Sequence, residues 1–242
     1  MADYYFGWYW GDRTEDIDAC AEKVLRSLEA LGRCDPAFEN IYVVPQERKV
    51  PYKVDVDPAA VRSIMEAGRN REDLPPYKII ESLGFKGSFV SEDFRKRGFE
   101  WSLSFHCGVS VPGVPNSCVL SVPKSGDVRD RMLQYDTARR IIGELVEIWN
   151  PDTAVLKKRG TIVKQPDGRM TMTKVPVGWM NYFASHLGKV PENLPLTSQI
   201  EIDDRGTLLI VTPDPVTMDL PENTETNEAL TIALRRAELL RF

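Results

Sequence analysis

Six of the seven residues from Tyr4 to Trp10 (Tyr4-Tyr5-Phe6-Gly7-Trp8-Tyr9-Trp10) are aromatic, and the run stops at Gly11-Asp12. Bulky rings pack well on a pleated surface and crowd the preceding turn of a helix, so this segment is read as a strand. A strand with that much apolar surface must be covered by the rest of the chain. Next, Ile17, Cys20, Ala21, Val24, Leu25, Leu28 and Leu31 recur at helical spacing. Thr14 is read as the N-cap of that helix, with Glu15 and Asp16 in its first turn and Gly32 as its terminator. Asp57-Pro58 opens a second helix, because proline at the first helical position gives up an N–H that has no intrahelical partner, and Gly68 ends it.

Further along, the period changes to two. Phe99, Trp101, Leu103, Phe105 and Cys107 alternate with Glu100, Ser102, Ser104 and His106, the pattern of a half-buried strand. Residues 117–122 can pair with it across the turn formers Pro112-Gly113 and Pro115-Asn116. A long helix is predicted from Val128 to Trp149, stopped by Pro151. Two short strands over 154–158 and 160–164 follow, then a turn at Pro166-Asp167-Gly168. Trp179 to Leu187 reads as a short helix ended by Gly188. Gln199–Ile202 and Thr207–Val211 flank Asp203-Asp204-Arg205-Gly206 as a hairpin, and a last helix spans 226–240. Strands in neighbouring pairs, with helices between the pairs, favour an α+β fold with antiparallel sheets over a doubly wound parallel one. Strand openings near residues 4 and 99 leave open two similar lobes in one compact unit. Nothing marks an internal boundary, so residues 1–242 are taken as one domain.

Composition narrows the class. At 242 residues with 42% hydrophobic and 28% charged, the chain buries enough surface to need no disulfide or metal. No apolar run approaches the ~18 residues of a membrane span, and Met1-Ala2-Asp3 lacks a basic, apolar leader. A cytoplasmic protein with no membrane partner is expected. Cys20, Cys34, Cys107 and Cys118 have no disulfide-framework spacing and are read as small core hydrophobes.

A net charge of −5 argues against a nucleic-acid partner, which calls for a basic surface. The charge is unevenly placed. Residues 191–228 hold nine acids and one base (Arg205), a local −8, whereas residues 151–190 hold seven bases and two acids. An acidic surface of this kind is complementary to a basic partner and speeds encounter with it.

Enzyme motifs are missing: there is no glycine-rich phosphate loop, no H-E-x-x-H, no paired C-x-x-C and no calcium loop. No catalytic, cofactor-binding or metal-binding set is expected. His106 and Cys107 point to opposite faces of their strand, which leaves His106 a satisfied strand histidine rather than a zinc ligand. Ser185-His186 has no nucleophile context. The rival reading is a metal-dependent nuclease built on Asp35, Glu47 and Lys49, but Pro45 and Pro51 bracket the E-x-K that should lie on a core strand.

Several stretches nevertheless form a recognisable set: Trp10-Gly11-Asp12-Arg13 behind the aromatic strand, Cys20-Ala21, Asp35-Pro36, Gly178-Trp179-Met180 before Tyr182-Phe183, and Gly206-Thr207-Leu208-Leu209. Together they resemble the immunity protein 52 family of bacterial polymorphic toxin systems. The resemblance implies an α+β protein, encoded beside a toxin with a restriction-endonuclease fold and similar to DNA-degrading type VI secretion effectors, which it binds and silences. It carries over no catalytic residues and leaves the oligomeric state open. The Arg of the W-G-x-R stretch is read as structural, bonding nearby carbonyls or a carboxylate. A nuclease presents a basic DNA cleft, so the expected toxin-facing groups are Asp203, Asp204, Asp214, Asp219, Glu222 and Glu225, all in predicted turns or loops.

Overall fold

The computed structural model describes residues 3–44, 50–96, 98–160, 162–164, 170–172, 177–195, 198–215 and 224–240. The aromatic run is strand β1 (Tyr4–Trp10), and its even-numbered rings, Tyr4, Phe6, Trp8 and Trp10, are all buried on one face. Helix α1 (Ile17–Cys34) buries the predicted stripe, with Leu25 partly buried. Its ends differ from expectation. Asp16, not Thr14, is the N-cap, its carboxylate accepting from the Ala19 N–H at 2.8 Å, and the helix runs through Gly32 to close at Asp35.

After β2 (Ile41–Val43) and β3 (Tyr52–Lys53), helix α2 (Pro58–Ala67) starts and stops as its sequence signals, with Asp57 accepting from the Ala59 and Ala60 N–H groups and Gly68 closing it. Strands β4 (Phe85–Ser91), β5 (Ser102–Cys107) and β6 (Asn116–Ser121) form the expected antiparallel run. Leu103, Phe105 and Cys107 are buried as the period-two pattern requires, but Phe99 lies before the strand and is 48% exposed.

The predicted 22-residue helix is two: α3 (Asp127–Met132) and α4 (Tyr135–Trp149), separated where Gln134 adopts an extended backbone. Asn150 caps α4 in the left-handed conformation, donating its N–H to the Val146 carbonyl at 2.9 Å, and Pro151 follows.

Then come β7 (Thr153–Lys158), the β8 (Ile162–Lys164) and β9 (Met170–Met172) pair, β10 (Met180–Ala184), β11 (Ser198–Ile202), β12 (Gly206–Ile210) and α5 (Thr224–Arg236). The Pro166 turn lies outside the described residues.

Ten strands form one sheet in the order β11-β12-β10-β7-β1-β6-β5-β4-β2-β3, antiparallel at every described pairing. The strand pairs near residues 4 and 99 thus feed the same sheet. Helix α4 packs on β1 and β7, α2 on β4, and α1 on both helices, so one face carries the main core. The other face is covered at one end. There Leu230 and Leu234 of α5, with Leu239, meet Phe183, Leu209 and Val211.

That second layer explains the largest misreading. Residues 179–187, predicted as a helix, are β10 followed by a single 3-10 turn at Ser185–Leu187. All five β10 residues are buried because the sheet is covered on both faces here, so no period-two signal survives. Gly178 leads into it: a Cβ there would meet the Leu156 carbonyl oxygen at 2.5 Å, and the Asn181 side chain clamps its N–H and C=O, each at 2.8 Å.

Candidate functional site

Antiparallel register brings the C-terminal end of β1, the start of β7, the end of β10 and the β11–β12 turn to one end of the sheet: Tyr9 pairs with Thr153, Thr153 with Phe183, and Ala184 with Gly206. Four loops converge there. The W-G-D-R stretch is their brace, as its structural reading predicted. Arg13 donates from Nη1 to the Trp149 carbonyl and from Nη2 to the Asn150 carbonyl, both at 2.9 Å, closing the exposed C-terminal carbonyls of α4. Its guanidinium lies 5.8 Å from the centre of the Trp10 ring. Asp152 binds the same corner together, one carboxylate oxygen accepting from the Gly11 N–H at 2.9 Å and the other lying 3.1 Å from His186 Nε2.

Exposed acids lie at this end of the sheet, with the exposed Arg205 next to two of them. Asp203 and Asp204 are exposed in the β11–β12 turn, where the Ser185 hydroxyl donates to the Asp204 carbonyl at 3.1 Å. Asp203 takes a left-handed backbone (φ 46°), which a short polar side chain tolerates. Asp12 is exposed at the same end of the sheet, three strands along from that turn, and the carboxylates of Asp12, Asp203 and Asp204 make no ion pair among the described residues. Sequence reasoning missed Asp12 and Asp152. The W-G-D-R stretch that contains Asp12 was a usable signal, whereas nothing local to Asp152 marked it.

The other expected toxin-facing residues do not join this patch. Asp214 is exposed beyond the opposite end of β12, and Glu225 is exposed in the first turn of α5, where a carboxylate suits the helix dipole. Asp219 and Glu222 lie outside the described residues, as do Glu47 and Lys49.

Asp35, the remaining member of the rival nuclease set, is 4% exposed and fully engaged. Arg131 binds it side-on, Nε to Oδ2 at 2.7 Å and Nη2 to Oδ1 at 2.9 Å, while Oδ1 also accepts from the Ala37 N–H at 2.8 Å. Burial pushes this carboxyl up, but the bonds from Arg131 and Ala37 together with the Arg131 charge outweigh burial and hold it below its ordinary value. A depressed carboxylate stabilises the fold at pH above its unfolded value and loses that contribution as pH falls through the folded one. Asp35→Ala is therefore expected to cost roughly 2 kcal/mol at neutral pH, between an exposed and a fully buried pair. In denaturant titrations the gap from the parent should close toward pH 2; a gap independent of pH would refute this role.

His106 is satisfied by the Leu83 carbonyl at 2.9 Å, as expected of a strand histidine. Cys20, Cys107 and Cys118 are buried, and burial pushes the half-buried Cys34 thiol up to about 11, so it stays protonated at neutral pH. Among the described residues no three His, Cys, Asp or Glu side chains gather as a metal site would need.

A second surface lies at the opposite edge of the sheet. A cleft of about 760 Å³ opens between α2 and the β2–β4 edge, lined by Val43, Val44, Tyr52, Ile64 and Tyr77 with Arg71 and Lys86. Most of the exposed large apolar side chains, Val44, Val50, Tyr52, Leu74 and Tyr77, sit on the two segments that flank it. Seven strand spacings of about 4.8 Å separate β12 from β2, which puts the cleft roughly 30 Å or more from the acidic turn.

No curated protein gives a significant match. Four solved chains do, among them a type VI secretion system protein of Pseudomonas aeruginosa, superposing with a TM-score of 0.60 at 12% identity over 97% of this chain and 73% of that one. At that identity the likeness is one of fold. The family model described as Immunity protein 52 matches residues 2–242, essentially the whole length, and the chain therefore belongs to the Immunity protein 52 family.

Proposed function

We propose that this chain is a cytoplasmic immunity protein that binds a cognate DNA-degrading toxin of restriction-endonuclease fold and silences it by occupying its surface, without turning over a substrate. Residues 1–242 act as one unit in this role. Family membership over the full length is the observation that carries the immunity role. The fold it shares with a type VI secretion system protein is consistent with a toxin delivered by that route.

The nuclease assignment rests on charge. A nuclease holds its substrate through Lys and Arg contacts to phosphates, so its cleft is basic. The sheet end that carries Asp12, Asp203 and Asp204, with Arg205 in the same turn, has a net negative charge and loops braced by Arg13 and Asp152, so its carboxylates are held in place before the partner arrives. The capture of Asp35 by Arg131 removes one of three groups the metal-nuclease reading needs.

The test is plasmid cleavage by the purified product of the adjacent toxin gene, titrated with this chain. Cleavage should stop at one equivalent, and the two proteins should co-elute. Undiminished cleavage at tenfold excess, with no co-elution, would end the proposal.

A further inference from the structure

Exposed sheet edges invite strand addition, and proteins blunt them with short strands, Lys, Pro or bulges. The two edges of this sheet are treated differently. β3 is two residues long and carries Lys53. β11 runs five residues in unbroken register with β12, from Ser198 opposite Ile210 to Ile202 opposite Gly206, with no Lys, no Pro and no bulge. Among the described residues no strand pairs with its outer side. Alternate N–H and C=O groups along it are therefore directed away from the sheet.

We propose that β11 accepts an extended segment of the cognate toxin as an additional strand, and that this segment alternates apolar with basic residues. This rests on the toxin-binding reading above and specifies how the partner engages. The chemistry of the segment follows from the two faces of β11. Ile200 and Ile202 are half-buried against the main core, so apolar residues on that face of an added strand would extend the core. Gln199 and Glu201 are exposed on the other face. Directly opposite side chains on neighbouring strands stand ~5 Å apart, which puts Lys or Arg of an added strand within reach of Glu201.

Glu201 is oriented in advance, since both its carboxylate oxygens lie 3.1 Å from the Thr207 hydroxyl. Past the strand's end the exposed turn Asp203-Asp204-Arg205 carries one net negative charge more. A second copy of this chain would bring the same acids to the edge, so charge favours a basic partner over self-pairing.

Hydrogen exchange tests this on the intact chain, alone and with a catalytically disabled product of the adjacent toxin gene. Amides of 198–202 should exchange at least tenfold more slowly in the complex, while those of β3 stay unchanged. A complex that forms without slowing exchange at 198–202 overturns the proposal. So does protection that appears as this chain is concentrated without toxin, which would assign the edge to a second copy. If no complex forms, the toxin-binding reading itself fails, and this inference falls with it. Glu201→Lys also gives up the Thr207 bond, so it is expected to lower the melting temperature by no more than about 4 °C while weakening affinity at least tenfold; parental affinity would also overturn the proposal.

Discussion

Trp149→Ala is expected to destabilise the protein by about 3–5 kcal/mol and lower the melting temperature by on the order of 10 °C. The indole lies in the last turn of α4, fully buried and stacked on Trp10 with ring centres 5.0 Å apart and planes 27° apart. It joins the helix layer to the end of the central strand, and truncation leaves a cavity that neither element can close without shifting. The two bonds from Arg13 end on main-chain carbonyls of residues 149 and 150 and survive the change, so the loss isolates the ring stack.

Trp149→Phe separates volume from polarity. The Nε1 groups of Trp10 and Trp149 are both buried without an acceptor among the described residues, so phenylalanine removes a costly donor along with some of the ring. It should cost less than half as much as alanine. Denaturant unfolding of both variants checks this; a loss below about 1 kcal/mol for alanine would contradict a core role for the stack.

The second large effect concerns binding. Asp12→Lys combined with Asp203→Asn and Asp204→Lys is expected to slow association with the toxin at least tenfold at low salt, with a smaller change in dissociation and a shallower salt dependence. Asparagine is chosen at 203 because it, like aspartate, tolerates the left-handed backbone there. All three side chains are exposed, so stability should move by only about 0.5 kcal/mol.

Asp214→Lys is the informative control, being exposed beyond the far end of β12. It belongs to the same acidic stretch of sequence but not to the same surface. If stopped-flow traces slow equally for Asp214→Lys and the triple variant, overall charge governs encounter and the strand end has no special part.

How much of this was legible beforehand varies with the range of the interaction concerned. Asp57-Pro58 and Gly68 bound α2 where expected because caps act within a few residues. Leu103, Phe105 and Cys107 fell on the buried face because alternation belongs to the strand itself. By contrast, Met180–Ala184 was misread because its alternation is erased by α5, which arrives some forty residues later in the chain. That Arg131 holds Asp35 was not legible, because the two lie 96 positions apart.

The acidic residues divide in the same manner. Their enrichment over 191–228 is a property of composition, but register decides which of them share a surface. Pairing of Ala184 with Gly206, and of Phe183 and Tyr9 with Thr153, brings Asp203 and Asp204 to the same end of the sheet as Asp12, while the length of β12 carries Asp214 away from it. Local patterns therefore determined the α+β class and most of the elements, since each depends on residues close together in the chain. Only the tertiary structure decided which loops meet and which sheet edge is left open, because strand order is set by pairings between distant segments that no local pattern encodes.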